Sequence, residues 1–165
     1  MTLNVKASIT GTLLTTGDLS ELSAKLANAL AEISYVQGSG AAQADKVFAD
    51  TRTLAASTTE DLDLAGSLVG IDGAAFAPAK VKAILVVAAA GNTNDVHVGG
   101  DANGLAGLFG AVNDLIVVKP GGVFLWAAPS GGLTVTAGTG DILQVANSSS
   151  GSSVTYSIVI IAASA

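Results

Sequence analysis

The sequence predicts a mainly β chain: an antiparallel β-sandwich, most naturally a jelly roll, preceded by one N-terminal helix. Three observations predict it. From Lys46 onward, short alternating or continuous apolar runs recur between Gly, Ser, Asn and Pro turns. No helical pattern separates those runs, which disfavours a βαβ sheet. A single earlier segment, Asp18 to Tyr35, instead repeats its apolar residues at helical spacing. An immunoglobulin-like sandwich fits the strand count too, but a chain without cysteine lacks its Cys–Trp–Cys core.

Leu3 to Ile9 alternates apolar and polar residues with period two. An extended arm on a neighbour's sheet and a strand of the chain's own domain both fit it. In the predicted helix, Asp18 caps the first turn and Glu21 completes a capping box. Leu19, Leu22, Leu26, Leu30 and Ile33 form one stripe, and with Ala29 included the seam is heptad-like. Packing on a sheet explains the stripe; so does a short helix bundle of two or three subunits around a symmetry axis, which the Gly-rich flanks favour. Gln37–Gln43 is a small-residue linker. These divisions give an N-terminal arm and oligomerisation helix over 1–36, a linker over 37–44 and a β-sandwich domain over 45–165.

Strands are expected at Val47–Leu54, Thr58–Leu64, Lys80–Ala88, Asp95–Val98, Leu115–Val118, Val123–Ala127, Leu133–Thr136, Ile142–Ala146 and Val154–Ala162. Lys80–Ala88 turns continuously apolar, as a central strand buried on both faces does. Lys119-Pro120-Gly121-Gly122 and Pro129-Ser130-Gly131-Gly132 are strong turns. Residues 99–111 form a long glycine-rich loop whose Leu105, Leu108 and Phe109 need cover from the sandwich rim or a neighbour.

Composition narrows the function. Seven basic and thirteen acidic residues give 7 − 13 = −6, so nucleic acid is not expected as a partner, since phosphate neutralisation needs a basic face. Only 12% of residues are charged, while 50% are hydrophobic. The apolar tracts 83–90 and 158–163 fall well short of the ~20 residues that span a bilayer as a helix. The start, MTLNVKASIT, has no basic region followed by a long apolar core, so no signal peptide is expected. Few charges on so apolar a chain are best explained by burial against other subunits, which is favoured over a free monomeric enzyme.

Residues able to do chemistry are sparse. His97 is the sole histidine, which excludes a multi-histidine metal site, and there is no thiolate to supplement it. Asp95 and His97 share a strand face, yet no serine sits in a GxSxG setting to complete a triad. Asp61 and Asp63 are a pair of carboxylates with no group to tune them. Asp95, Asp101, Asn103, Asn92 and Asn94 cluster near turns without the twelve-residue spacing of a calcium loop. The paired glycines at 99–100, 121–122 and 131–132 lack the Lys-Ser/Thr end of a phosphate loop. Phe124, Trp126 and Tyr156 could line a sugar cleft, but the alternation of the first two suits core packing. No catalytic residue, cofactor or metal is assigned, and the chain is not expected to be an enzyme.

The segments DTRTLAASTTEDLDLAGSL (50–68), KVKAILVVAAAGNTNDVHVGG (80–100) and VVKPGGVFLWAAPSGGLTVTAGTGDILQVANSSSGSSVTYSIVIIA (117–162) resemble small structural proteins of tailed bacteriophages. In that family a β-sandwich, often a jelly roll, decorates or cements the capsid, commonly as a trimer. The resemblance covers residues 45–165 and lies in turn placement, with no functional residue to carry over. It implies a homo-oligomer, a trimer first, that binds the major capsid protein at the virion surface after assembly in the host cytoplasm, with no nucleic-acid or membrane contact. Leu19, Leu22, Leu26, Leu30 and Ile33 are the expected self-association residues, and Leu3, Val5 and Ile9 the arm-docking ones. The alternative is a carbohydrate- or receptor-binding module of a tail or head fibre.

Overall fold

The computed structural model describes residues 1–17, 20–66 and 68–165, with the backbone alone for 9–31. Twelve strands run in order: β1 (Thr2–Gly17), β2 (Ser20–Gln37), β3 (Gln43–Ala44), β4 (Lys46–Leu54), β5 (Thr59–Asp63), β6 (Lys80–Ala88), β7 (Val96–Gly99), β8 (Leu115–Val118), β9 (Val123–Ala127), β10 (Leu133–Thr134), β11 (Ile142–Asn147) and β12 (Val154–Ala163). They form three sheets. One is β1-β2-β3. The second is β10-β6-β12-β4 with β9 also on β6. The third is β5-β11-β7-β8. All pairings are antiparallel except β2 with β3, which is parallel.

This corrects the expected fold class in two ways. No helix occurs among the described residues, and the strands close into neither a barrel nor a sandwich. The segment expected to be helical is β2, paired along its length with β1 as a ribbon: Leu3 opposite Tyr35, Val5 opposite Ile33, Ile9 opposite Ala29. Between Ile9 and Gly11 the register shifts by one residue, so that Gly11 meets Leu26, Leu13 meets Ala24 and Thr15 meets Leu22. That shift is the physical reason for the misreading. A strand repeats every two residues, and one bulge turns an even spacing odd. The steps from Leu22 to Leu26, Ala29 and Ile33 are therefore those of a helix and equally those of a bulged strand. Thr2–Gly17 supplied the partner that decided between them. Asp18, the proposed cap, and Leu19 lie outside the described residues.

From Lys46 on, strands stand near where the sequence pattern placed them; the core strands bury one face or both, whereas β8 leaves three of its four residues exposed. Leu62 of β5, Ile84 and Val86 of β6, Val96 and Val98 of β7, Val145 of β11 and Ile158 and Ile160 of β12 belong to one core shared by the five- and four-stranded sheets. Loop 99–114 folds over that core: Leu105 is buried, Leu108 and Phe109 pack on it, and the Phe109 and Phe124 rings lie 5.9 Å apart. Gly99 permits this approach. It has φ +101°, and a Cβ there would stand 2.5 Å from the Asp114 carbonyl oxygen.

Asparagines lock the loops at one end of the sheets. Asn92 Nδ2 donates to the Thr155 carbonyl and its Oδ1 accepts from Thr155 N, both at 2.9 Å, so the side chain imitates a neighbouring strand. Asn147 Nδ2 donates to the carbonyls of Ala55 (3.0 Å) and Ser152 (2.8 Å), while its Oδ1 accepts from Asn94 Nδ2 at 2.9 Å.

Candidate interaction surface

The residues that could do chemistry are dispersed. His97 stands on β7 between Ala146 and Val117. Asp95, which shares its strand face, accepts from Lys119 Nζ at 2.7 Å. Asp61 accepts from Gln144 Nε2 at 2.9 Å, and Asp63 accepts from Ala65 N at 2.8 Å. Asp101 Oδ1 accepts from Asn103 N at 2.6 Å, and Asn92 and Asn94 spend their amides on the loop locks. Among the described residues no three His, Asp or Glu side chains are grouped to hold a metal ion. All seven aromatic side chains are buried or half-buried, so no aromatic platform faces solvent for a sugar ring to stack on.

One titratable network is well built, and it joins two sheets. Tyr156 on β12 donates through its hydroxyl to Glu60 Oε2 on β5 at 3.0 Å. Glu60 Oε1 takes Arg52 Nη1, and Arg52 Nε donates to Asp50 Oδ2 at 3.0 Å. The guanidinium carbon lies 5.6 Å from the centre of the Phe48 ring. Burial first, then the Glu60 charge, pushes the Tyr156 phenol well above its ordinary value. Burial alone would lower Arg52, but the Glu60 hydrogen bond and charge outweigh it and raise the guanidinium. The network acts as a clamp, its phenol, guanidinium and two carboxylates pairing with one another between the sheets.

The feature with room for a partner is the outer face of the five-stranded sheet. Ile158, Ile160, Ile84 and Val86 face the core, so their strand neighbours face outward. The register assembles those neighbours into rows. One row runs Val47, Ile161, Ala83, Ala127; the next runs Ala49, Val159, Leu85, Leu125; the third runs Thr51, Ser157, Val87, Val123. Thr53 and Thr155 begin a fourth, and hydroxyl pairs at 3.0 Å join Thr51 to Ser157 and Thr53 to Thr155. These rows contain no ionisable residue.

The ribbon covers one end of this face. Leu3, Val5 and Ile33 pack with Tyr35, Ala83, Ala127, Val159 and Ile161 in a second, smaller core. Tyr35 is buried there, its hydroxyl donating to the Lys82 carbonyl at 3.1 Å, and burial raises its phenol. That carbonyl is available because Lys82 is the extra residue where β6 and β12 shift register between Ile161 and Ala162. A groove of ≈ 340 Å³ remains between ribbon and sheet, lined by Asn4, Val5, Lys6, Leu85, Leu125 and Val159 among others. Leu125, on the groove wall, is 36% exposed, and Val123 beyond it is 60% exposed.

Leu3, Val5 and Ile33 are thus brought together on the chain's own sheet. Ile9, Leu22, Leu26 and Leu30 occupy ribbon register positions opposite Ala29, Thr15, Gly11 and Ser8. Leu19 lies outside the described residues. The outer rows, with Leu85, Val87, Val123 and Leu125, escaped sequence reasoning. Their signal is present: VFLWA and IVIIA are apolar at every position, and a strand apolar on both faces needs cover on both. No protein-family model and no curated protein matches this chain. A solved chain of Bacillus endospore appendages, described as a novel family of disulfide-linked pili, is similar over 73% of this chain and 90% of that one, at 12% identity and a TM-score of 0.37, too slight a likeness to argue from.

Proposed function

We propose that this chain is a non-enzymatic structural subunit that works as a homo-oligomer, a trimer first, and decorates or cements a bacteriophage capsid through the major capsid protein. The observation that carries the reading is the coincidence of sparse charge with an uncharged, incompletely covered sheet face. Such a face is costly on a free subunit and useful on one that is laid against protein. The capsid itself is named by the resemblance of residues 45–165 to phage structural proteins. Repetition over a closed lattice converts modest single contacts into strong retention.

Quantitative mass spectrometry of purified particles tests it. Copies in the hundreds per particle support a shell role. A dozen or fewer would move the chain to the portal or tail, and absence from particles would end the virion reading. Binding on a glycan array would instead favour the carbohydrate-module alternative.

A further inference from the structure

The groove between ribbon and sheet is walled on one side by main chain. Asn4, Val5 and Lys6 all line it, and among the described residues none of β2 does. Successive side chains of a strand point to opposite faces, so three consecutive residues border one groove only along the strand's edge. Leu3 and Val5 turn down onto the sheet, where they pack in the second core, and this sets the edge of β1 beside the groove.

That edge is open. β1 is the outer strand of its sheet, in the order β1-β2-β3, and no strand pairs with its far side. Every second residue along such an edge presents an N–H and a C=O outward. The floor beneath it is apolar: Ala83, Leu85, Leu125, Val159 and Ile161. The row that ends in Val123, 60% exposed, follows two residues further along β6 and β9.

We infer that this groove is a strand-addition site: an extended segment of another protein, apolar at alternate positions and free of basic residues, hydrogen-bonds to the β1 edge and lays its apolar side chains on the row of Leu85 and Leu125. The inference goes beyond the structural-subunit reading and does not need it, since it concerns what the groove takes and not where the chain resides.

Hydrogen bonding and charge select this occupant. A lipid tail would match the apolar floor but leave the backbone groups of the edge facing hydrocarbon, which is costly. An extended main chain supplies donors and acceptors at the spacing of the edge, and its period of two turns alternate side chains onto the floor. The fold itself contains the precedent, because Leu3 and Val5 of β1 lie on Ala83, Val159 and Ile161 as the added segment would lie on its neighbours. Lys6 is the one ionisable residue lining the groove among those described. Its Nζ stands 4.0 Å from Glu32 Oε2, between exposed side chains, a contact loose enough to be exchanged for another carboxylate. A cation at this rim disfavours a segment that carries lysine or arginine.

Amide hydrogen exchange of the full-length chain, read residue by residue by NMR, tests this. The probe is a blocked heptapeptide in which valine alternates with threonine. Saturable binding is expected, with alternate amides along Leu3–Ser8 slowed at least ~tenfold at saturation. The same peptide N-methylated at every amide keeps its side chains but loses its donors, and is expected to bind at least ~tenfold more weakly. Leu125→Asp should weaken the unmethylated peptide by at least ~tenfold as well. The methylated peptide needs no variant, so misfolding of Leu125→Asp leaves the test intact. Equal binding of the two peptides would overturn the inference, because the floor alone would then suffice. So would an absence of binding, or protection that falls on the β8 edge at Leu115–Val118 instead of on β1. Edge amides of β1 already protected in an oligomer before peptide is added would assign this edge to a second copy and overturn it too. Absence of the chain from purified particles would remove the capsid reading and leave this site standing.

Discussion

Tyr156 holds two sheets together through one hydroxyl. Its donation to Glu60 links β12 to β5, and Glu60 passes the link to Arg52 of β4. Removing the hydroxyl leaves a Glu60 oxygen short of a donor without opening a cavity. Tyr156→Phe is expected to cost about 1–2 kcal/mol in urea unfolding. The pH dependence has a defined sign. The folded phenol titrates above its unfolded value near 10, so its contribution is complete below about pH 10. Above that the unfolded chain ionises first and stability falls. Tyr156→Phe should flatten this alkaline loss, and Tyr35, raised in the same sense, should leave part of it.

Lys82 is the opposite case, a charge that the fold tolerates rather than uses. It is 1% exposed, and its Nζ makes one long bond, 3.4 Å, to the Gly131 carbonyl. Burial, assisted by the Lys80 charge, lowers its pKa. Its backbone serves the bulge, with the carbonyl accepting from Tyr35 Oη and from Ala128 N. Methionine would keep the stem and remove the charge. Lys82→Met is expected to stabilise by about 1 kcal/mol, raising Tm by roughly 2–4 °C in a calorimetric scan.

At the scale of elements, legibility followed burial. Val154–Ala163 and Lys80–Ala88 were readable because alternate residues enter the shared core. Leu115–Val118 was readable from its turn signals, although three of its four residues are exposed. The segment 20–37 misled because its spacing of four, three and four is common to a helix and to a bulged strand. Its helix-favouring Ala, Leu and Glu residues were overruled by pairing with a Thr-rich partner. The far-UV circular dichroism of the full chain should therefore show a single β minimum near ~217 nm with no helical band, and Cα chemical shifts over 20–37 should fall on the strand side. A pronounced helical signal from that segment would contradict the ribbon.

For the whole molecule, charge and surface act against each other. In the proposed assembly, thirteen carboxylates against seven cations would set copies against one another, while the uncharged rows would give them a face to meet on. Salt should then tighten self-association, because screening weakens the repulsion and leaves apolar contact untouched. Light-scattering mass measured against sodium chloride concentration checks this; association through ion pairs would show the reverse trend.

The residues alone determined that most of the chain from Lys46 is built of short strands, that it holds one histidine and no thiol, and that it is poor in charge, because each of these is written in composition or in a local period. Which strands meet, that 20–37 pairs with 2–17 instead of coiling, and that Leu125 and Val123 align with Leu85 and Val87 in one open face were decided by tertiary structure. The physical reason is that a period reports which side of a segment wants cover, whereas the identity of the cover depends on partners as much as a hundred residues away.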